Sequence, residues 1–138
     1  MCIRDRDTPA WERPYLVWEG EDRRAQRSLS YREFDAEVCR LAGALLALGV
    51  GRGDRVGLYM PNLPETFVAF FAVMKIGAVV MPLFSGFGPQ PLTSRLNDGE
   101  AKVVLTADGT WRRGTPGAMK SVLDEALESV PSVQHVLV

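Results

Sequence analysis

Met74-Lys75-Ile76-Gly77-Ala78-Val79-Val80-Met81-Pro82-Leu83-Phe84-Ser85-Gly86-Phe87-Gly88 is the stretch whose reading decides the fold. An apolar helix end runs through Gly77 into a buried strand, Ala78 to Leu83, and the strand opens into a Gly-rich loop. In an α/β sheet such a loop sits at the carboxyl end of its strand, where ligands of these sheets bind. A rival reading treats Thr66 to Phe84 as a membrane span, because it carries one charge, Lys75, over a length close to the roughly 20 residues a bilayer needs. Lys75 at the centre of a span would cost about 2.5–3.5 kcal/mol, and Gly77 and Pro82 interrupt any single helix. A helix followed by a buried strand explains the same residues, and no membrane span is expected.

Working upstream, Pro61-Asn62-Leu63-Pro64-Glu65 offers Asn62 as a cap and Pro64 in the first turn of the helix that ends near Ile76. The strand before it is Arg55 to Met60. Gly49-Val50-Gly51-Arg52-Gly53-Asp54 comes after a helix and precedes that strand. Phosphate-binding loops run from strand to helix, so this segment reads as a tight connection. The preceding helix starts at a capping box, Ser30-Tyr31-Arg32-Glu33, and buries Tyr31, Phe34, Val38, Leu41, Leu45 and Leu48 at spacings of three and four. Tyr15-Leu16-Val17-Trp18, a turn at Gly20-Glu21-Asp22 and a return over Arg27 to Leu29 read as an N-terminal β-hairpin.

Downstream, Pro89 to Asn97 is a short helix closed by Asp98-Gly99. Lys102 to Thr106 is a strand, Met119 to Val130 a helix, and Gln134 to Val138 begins a further strand. Strands alternating with helices, several apolar on both faces, define the fold class: α/β, a mostly parallel sheet flanked by helices, with the N-terminal β-hairpin beside it. The loops after Met60, Leu83 and Thr106 are therefore the places to look for a site.

Composition bounds the function. Hydrophobic residues make up 46% of the chain and charged residues 24%, and 16 basic against 17 acidic side chains give a formal net charge of -1. No basic excess points to nucleic acid. Cys2 and Cys39 are too few for a disulfide framework or a zinc site and read as free thiols in a reducing, cytoplasmic setting. Met1 to Arg6 carries no secretory signal and matches the neighbouring sequence poorly. Residues 1–7 are expected to be a non-native or disordered leader. The apolar run Val136-Leu137-Val138 has no closing turn, so 8–138 is expected to be a piece of something longer.

Two loops carry chemistry. Phe84-Ser85-Gly86-Phe87-Gly88 lies between a strand and a helix, so backbone amides could approach an anionic or flat ligand, although glycine used only for turn freedom explains it equally. A dinucleotide-binding reading gains from Asp108, about 20 residues past Gly88, but Pro91 stands where the third glycine belongs. The loop Thr106 to Gly114 places Trp111, Arg112 and Arg113 at a strand exit. Arg can pair with phosphate and stack on an adenine face, while a solvated basic loop is the plain alternative. His135 is the only histidine and has no nucleophile to serve, and no nucleophile elbow or metal cluster is present. No catalytic residue is assigned, and no metal ligand.

In order along the chain, LSYREFDAEVCRLAGALLALGVGRGDRVGLYMPN and PETFVAFFAVMKIGAVVMPLFSGFG resemble the N-terminal part of AMP-forming acyl-CoA synthetases, members of the adenylate-forming superfamily. Leu29-Ser30-Tyr31 and Lys75-Ile76-Gly77-Ala78 through Pro82 are similar to its first two core motifs. Phe84-Ser85-Gly86-Phe87-Gly88-Pro89 resembles the Phe-Gly-Gly-Phe-Ser-Pro loop of the acetyl-CoA and propionyl-CoA synthetase branch, and Thr106-Ala107-Asp108 with Arg112 resembles that branch's Thr-Ala-Asp segment with its trailing Arg.

The resemblance implies the N-terminal part of the large domain of an adenylate-forming enzyme. It implies a ligase that activates a short- or medium-chain carboxylic acid with ATP and Mg2+ to an acyl-adenylate and transfers the acyl group to coenzyme A. It also implies that Gly86 and Arg112 contact coenzyme A, the Arg near the adenine and 3'-phosphate. The chain departs from the branch at Ser85, Gly88 and Thr115, the last replacing a second Arg. It lacks the Ser/Thr/Gly-rich loop ending in Lys and the C-terminal Lys-bearing domain, so the isolated chain is expected to be inactive and to hold no cofactor strongly. A Rossmann-like nucleotide-binding module and a non-catalytic interaction domain are the alternatives.

Overall fold

The computed structural model describes residues 6, 8–21 and 25–138. Most of residues 1–7, expected from sequence to be a leader, and residues 22–24, where the sequence puts part of the hairpin turn, lie outside the described residues. A 3-10 turn at Pro9–Glu12 leads into an antiparallel hairpin, β1 (Pro14–Glu19) and β2 (Gln26–Ser30). Ser30 then caps α1 (Tyr31–Ala47): its Oγ accepts from the Glu33 amide while the Glu33 carboxylate accepts from the Ser30 amide. Both halves of the capping box read from Ser30 and Glu33 are present.

The main sheet has four parallel strands. They are β3 (Arg55–Tyr59), β4 (Val79–Leu83), β5 (Val103–Thr106) and, after an excursion through β6 (Gly109–Arg112) and β7 (Thr115–Ala118), β8 (His135–Leu137). Their order across the sheet is β4-β3-β5-β8. Helices α2 (Pro64–Lys75), α3 (Pro89–Asp98) and α4 (Lys120–Leu127) fill the crossovers. Parallel strands need such crossovers, since a tight turn cannot return the chain to run the same way.

Alternation along the central strands divides the interior in two. Val56 and Leu58 of β3, with Val103 and Leu105 of β5, join Phe34, Val38, Leu45, Val68, Ala72 and Val73 of α1 and α2. Tyr59 and Val104 point the other way, into Leu92, Leu96, Leu123 and Ala126 of α3 and α4. A strand with helices on both sides must be apolar at every position, as the run Val103-Val104-Leu105 is. Gly57 lies on the α3 side, where a Cβ would meet Leu96 Cδ2 at 3.1 Å, so the helix packs almost directly on backbone.

Gly77 ends the α2 region at φ 73°, a left-handed conformation that glycine adopts without a Cβ penalty, and it returns the chain to β4. The start of α2 differs from expectation. Leu63 is the capping residue and makes no side-chain cap, while the Asn62 carbonyl accepts from the Trp18 indole at 2.7 Å. That bond uses the Asn62 main chain and anchors β1; Asn62 is not the cap because the helix starts one residue later than expected, with Pro64 in its first turn.

One ion cluster ties α1 to α2. Asp35, 7% exposed, accepts from Lys75 Nζ at 3.1 Å and from Arg6 at 2.7 Å. Burial works to raise the Asp35 pKa, but the hydrogen bonds and charges of Lys75 and Arg6 together outweigh it and hold the carboxyl below its ordinary value. The Lys75 ammonium is correspondingly pushed up, chiefly by its bond to Asp35. No helix among the described residues is long and apolar enough to cross a membrane.

Candidate functional site

Strand register brings the three loops together. Tyr59 of β3 pairs with Leu83 of β4 on one side and with Thr106 of β5 on the other, so all three strands end at one edge of the sheet. The strand order also reverses there: the chain steps from β3 to β4 on one side, then crosses to β5 on the other. In doubly wound sheets the crevice at such a reversal is where ligands bind.

Tyr59 fixes the Gly-rich loop. Its ring is buried in the α3–α4 core, and its hydroxyl donates to the Phe87 carbonyl at 3.1 Å, with the Ser85 carbonyl at 3.4 Å. Burial raises the phenol pKa, so the group stays a donor. The Phe87 amide donates to the Phe84 carbonyl at 2.9 Å, closing the loop into a turn. Sequence reading missed Tyr59, because a tyrosine in an apolar strand looks like core. Its position at the last residue of the central strand was the available signal.

Gly86 is required for space. A Cβ at this position would lie 2.6 Å from Cε1 of Phe84, closer than real contacts allow, and its backbone φ is not in the left-handed region. Gly88, the residue before α3, is open on all sides. The two glycines therefore do different work: Gly86 lets the Phe84 ring fold over the loop, and Gly88 makes no such contact.

The loop of residues 106–114 is more ordered than the sequence suggests. β6 and β7 pair as an antiparallel hairpin outside the main sheet. Asp108, a candidate ribose-binding acid by sequence, accepts from the Gly109 amide through Oδ1, while its carbonyl takes the Met119 and Lys120 amides at 3.1 and 3.2 Å. It anchors both ends of the hairpin. The hairpin was illegible because its second strand, Thr115-Pro116-Gly117-Ala118, is wholly exposed and has no apolar alternation.

That hairpin carries Arg112 to the Gly-rich loop. The Arg112 guanidinium carbon lies 6.0 Å from the Phe84 ring centroid, Phe84 meets Phe87 edge-on at 5.6 Å, and Arg95 of α3 covers Phe87 at 4.9 Å. The result is a ladder of cation, ring, ring and cation, with Phe84 57% exposed. Gly86 and Arg112, the two residues singled out in the sequence, thus converge on one aromatic side chain. Exposed ring face beside a guanidinium suits a flat, anionic ligand.

A cavity of about 940 Å³ lies elsewhere, between the two hairpins, with Trp18, Glu21, Leu63 and Trp111 in its wall. Its described lining includes the carboxylates of Glu19 and Glu21. The described residues also contain no group of three His, Cys, Asp or Glu side chains able to hold a metal ion.

The model of the AMP-binding enzyme family matches residues 4–138, all but the first three residues of the chain. The chain belongs to that family. This AMP-binding enzyme chain is 44% identical over 127 residues to the acetyl-coenzyme A synthetase of Mycolicibacterium smegmatis, a match covering 92% of the chain and 14% of the relative. It is 47% identical over 125 residues to that of Shewanella denitrificans, covering 89% of the chain and 19% of the relative. Among solved structures it resembles acetoacetyl-CoA synthetase from Streptomyces lividans with a TM-score of 0.87 and 30% identity, over 96% of the chain and 20% of that protein. The chain spans about a fifth or less of these relatives' length, and the parallel sheet with flanking helices is the fold they share.

Proposed function

We propose that these residues form the N-terminal part of an AMP-forming acid–thiol ligase and contribute one wall of its coenzyme A site. The convergence of Gly86 and Arg112 on Phe84 carries this reading. The adenine of coenzyme A would lie on the exposed Phe84 ring, and Arg112 would balance a phosphate at its edge. Tyr59 holds the loop in place from beneath.

In the complete ligase a carboxylate oxygen attacks the α-phosphorus of ATP and pyrophosphate leaves. The thiolate of coenzyme A then attacks the acyl carbon, and AMP leaves with the electron pair of the broken C–O bond. Mg2+, held by the remainder of the protein, would supply charge neutralisation at the phosphates. The groups that hold ATP and Mg2+ are assigned to the remainder of the protein. The relatives' names favour a short acid such as acetate, and medium-chain acids fit the same reading. Catalysis in the cytoplasm accords with these substrates.

The isolated chain is expected to release no pyrophosphate from ATP when given coenzyme A and short acids. The complete ligase carrying it should release pyrophosphate and form a thioester. Turnover by the 138 residues alone would overturn the assignment of ATP chemistry to the remainder.

A further inference from the structure

We propose that Arg95 is a positioning residue for the ligand-facing loop, acting through Phe87 on the ring of Phe84; this rests on the coenzyme A reading of the site. The loop backbone is held without it: the Tyr59 hydroxyl donates to the Phe87 carbonyl, and the Phe87 amide closes on the Phe84 carbonyl. Neither bond fixes a ring. Phe84 is 57% exposed, and it meets the ring of Phe87 edge-on at 5.6 Å, with 79° between the planes. Phe87 is half-buried and packs against the α3–α4 core. Arg95 covers it, with the guanidinium carbon 4.9 Å from the ring centroid. A ring backed by the core and covered by a cation keeps one orientation, and its edge then sets where Phe84 stands.

The helix explains how this residue reaches the loop. Arg95 comes six residues after Pro89, the first of α3, so about 9 Å of helix separates the two. Side chains on a helix lean toward its N-terminus, and the long arginine stem covers the remaining distance. Leu92 and Leu96, beside it on α3, are fully buried and fix the helix from which it springs. A basic residue in the last turn of a helix ordinarily serves the carbonyls at that end. The Arg95 guanidinium instead lies on a ring from the loop that enters α3 at its other end, so the helix terminus does not account for its position. Phe87 stands between Arg95 and Phe84, so the cation acts on the ring face and reaches the ligand only through another residue.

The test compares Arg95→Met, which keeps an apolar stem without the cation, with Arg95→Lys in the complete ligase. KM for coenzyme A should rise about two- to fivefold in Arg95→Met, the fold-change of one exposed cation–π contact, and Arg95→Lys should restore part of it. KM for ATP and acid, pyrophosphate exchange and the melting temperature should stay those of the parent, since Arg95 is exposed. KM for dephospho-coenzyme A should rise by the same factor, because the residue acts on a ring and not on a phosphate. In a Phe87→Leu background Arg95→Met should add nothing further. An unchanged KM for coenzyme A, a rise confined to the phosphorylated thiol, or an undiminished effect in the Phe87→Leu background overturns the assignment. If Gly86→Ala raises KM for coenzyme A and Arg95→Met does not, only the role of Arg95 falls. If neither variant changes it, the coenzyme A reading of the loop falls as well.

Discussion

Replacing Gly86 with Ala tests the site most directly, because the structure says what the added methyl meets. It would lie 2.6 Å from Cε1, 3.1 Å from Cζ and 3.3 Å from Cδ1 of Phe84. The ring must swing away, and being 57% exposed it can do so without disturbing the core. The stability change should stay within the worth of the contacts the ring gives up, about 1–2.5 kcal/mol. Swinging the ring abandons the Arg112 contact, worth about 0.5–1 kcal/mol at an exposed site. It also abandons the edge contact with Phe87, worth about 0.5–1.5 kcal/mol. A ligand that needs the ring in its original place must then push it back against the added methyl, and a net cost of roughly 1–2 kcal/mol is about a 5- to 30-fold rise in KM. The assay is thioester formation by the complete ligase at saturating ATP and acid with coenzyme A varied, and pyrophosphate exchange serves as the control for adenylation. A Gly86→Ala enzyme whose KM for coenzyme A stays within about twofold of the parent would refute the reasoning. So would a destabilisation well beyond those two contacts, which would make the ring part of the core.

Two further outcomes concern stability. Leu96→Ala removes a fully buried side chain of α3 and should cost about 2–5 kcal/mol, read as a lower urea midpoint. An unchanged midpoint would mean that the α3–α4 side of the sheet is not a packed core. The lowered Asp35 pKa means that its share of stability is complete above the ordinary carboxylate range and is lost as pH falls through the folded value. The urea midpoint should therefore drop as pH falls below the ordinary aspartate value of 3.8. Lys75→Met should lower the unfolding free energy at neutral pH by about 1 kcal/mol, a figure kept small because Lys75 is partly exposed. Equal acid sensitivity in parent and Asp35→Asn would show that the cluster contributes nothing.

What the sequence revealed and what it hid divide along physical lines. Ser30 and Glu33 announce a helix start because a capping box is a local arrangement, complete within one turn of helix. Val103-Val104-Leu105 announces a buried strand because only burial on both faces tolerates such a run. The β6–β7 hairpin was hidden because it is held by backbone anchoring at Asp108 and buries no face of its own. The turn at Arg113-Gly114 was its one local mark. The candidate site was half legible: Gly86 and Arg112 stood out through resemblance, but their meeting at Phe84 depends on a contact across the hairpin that no spacing encodes. Tyr59 was hidden for a related reason, since its ring belongs to the core and only its hydroxyl reaches the loop. Asn62, read as a cap, misses the role by one residue: Leu63 precedes the helix, and Pro64 fits its first turn without a side-chain cap.

Tyr59 has one end in the α3–α4 core and the other on the Gly-rich loop, so the two cannot change independently. A substitution that loosens the packing around Leu92 or Leu123 lets the phenol drift, and the Phe87 carbonyl drifts with it. The ligand-facing turn therefore inherits the rigidity of helices that never approach the ligand. By reciprocity, a molecule seated on Phe84 would tighten those helices from a distance. Variation in the hydrophobic interior of this chain would then be read out at its surface as altered affinity, with no change in any residue that touches the bound molecule.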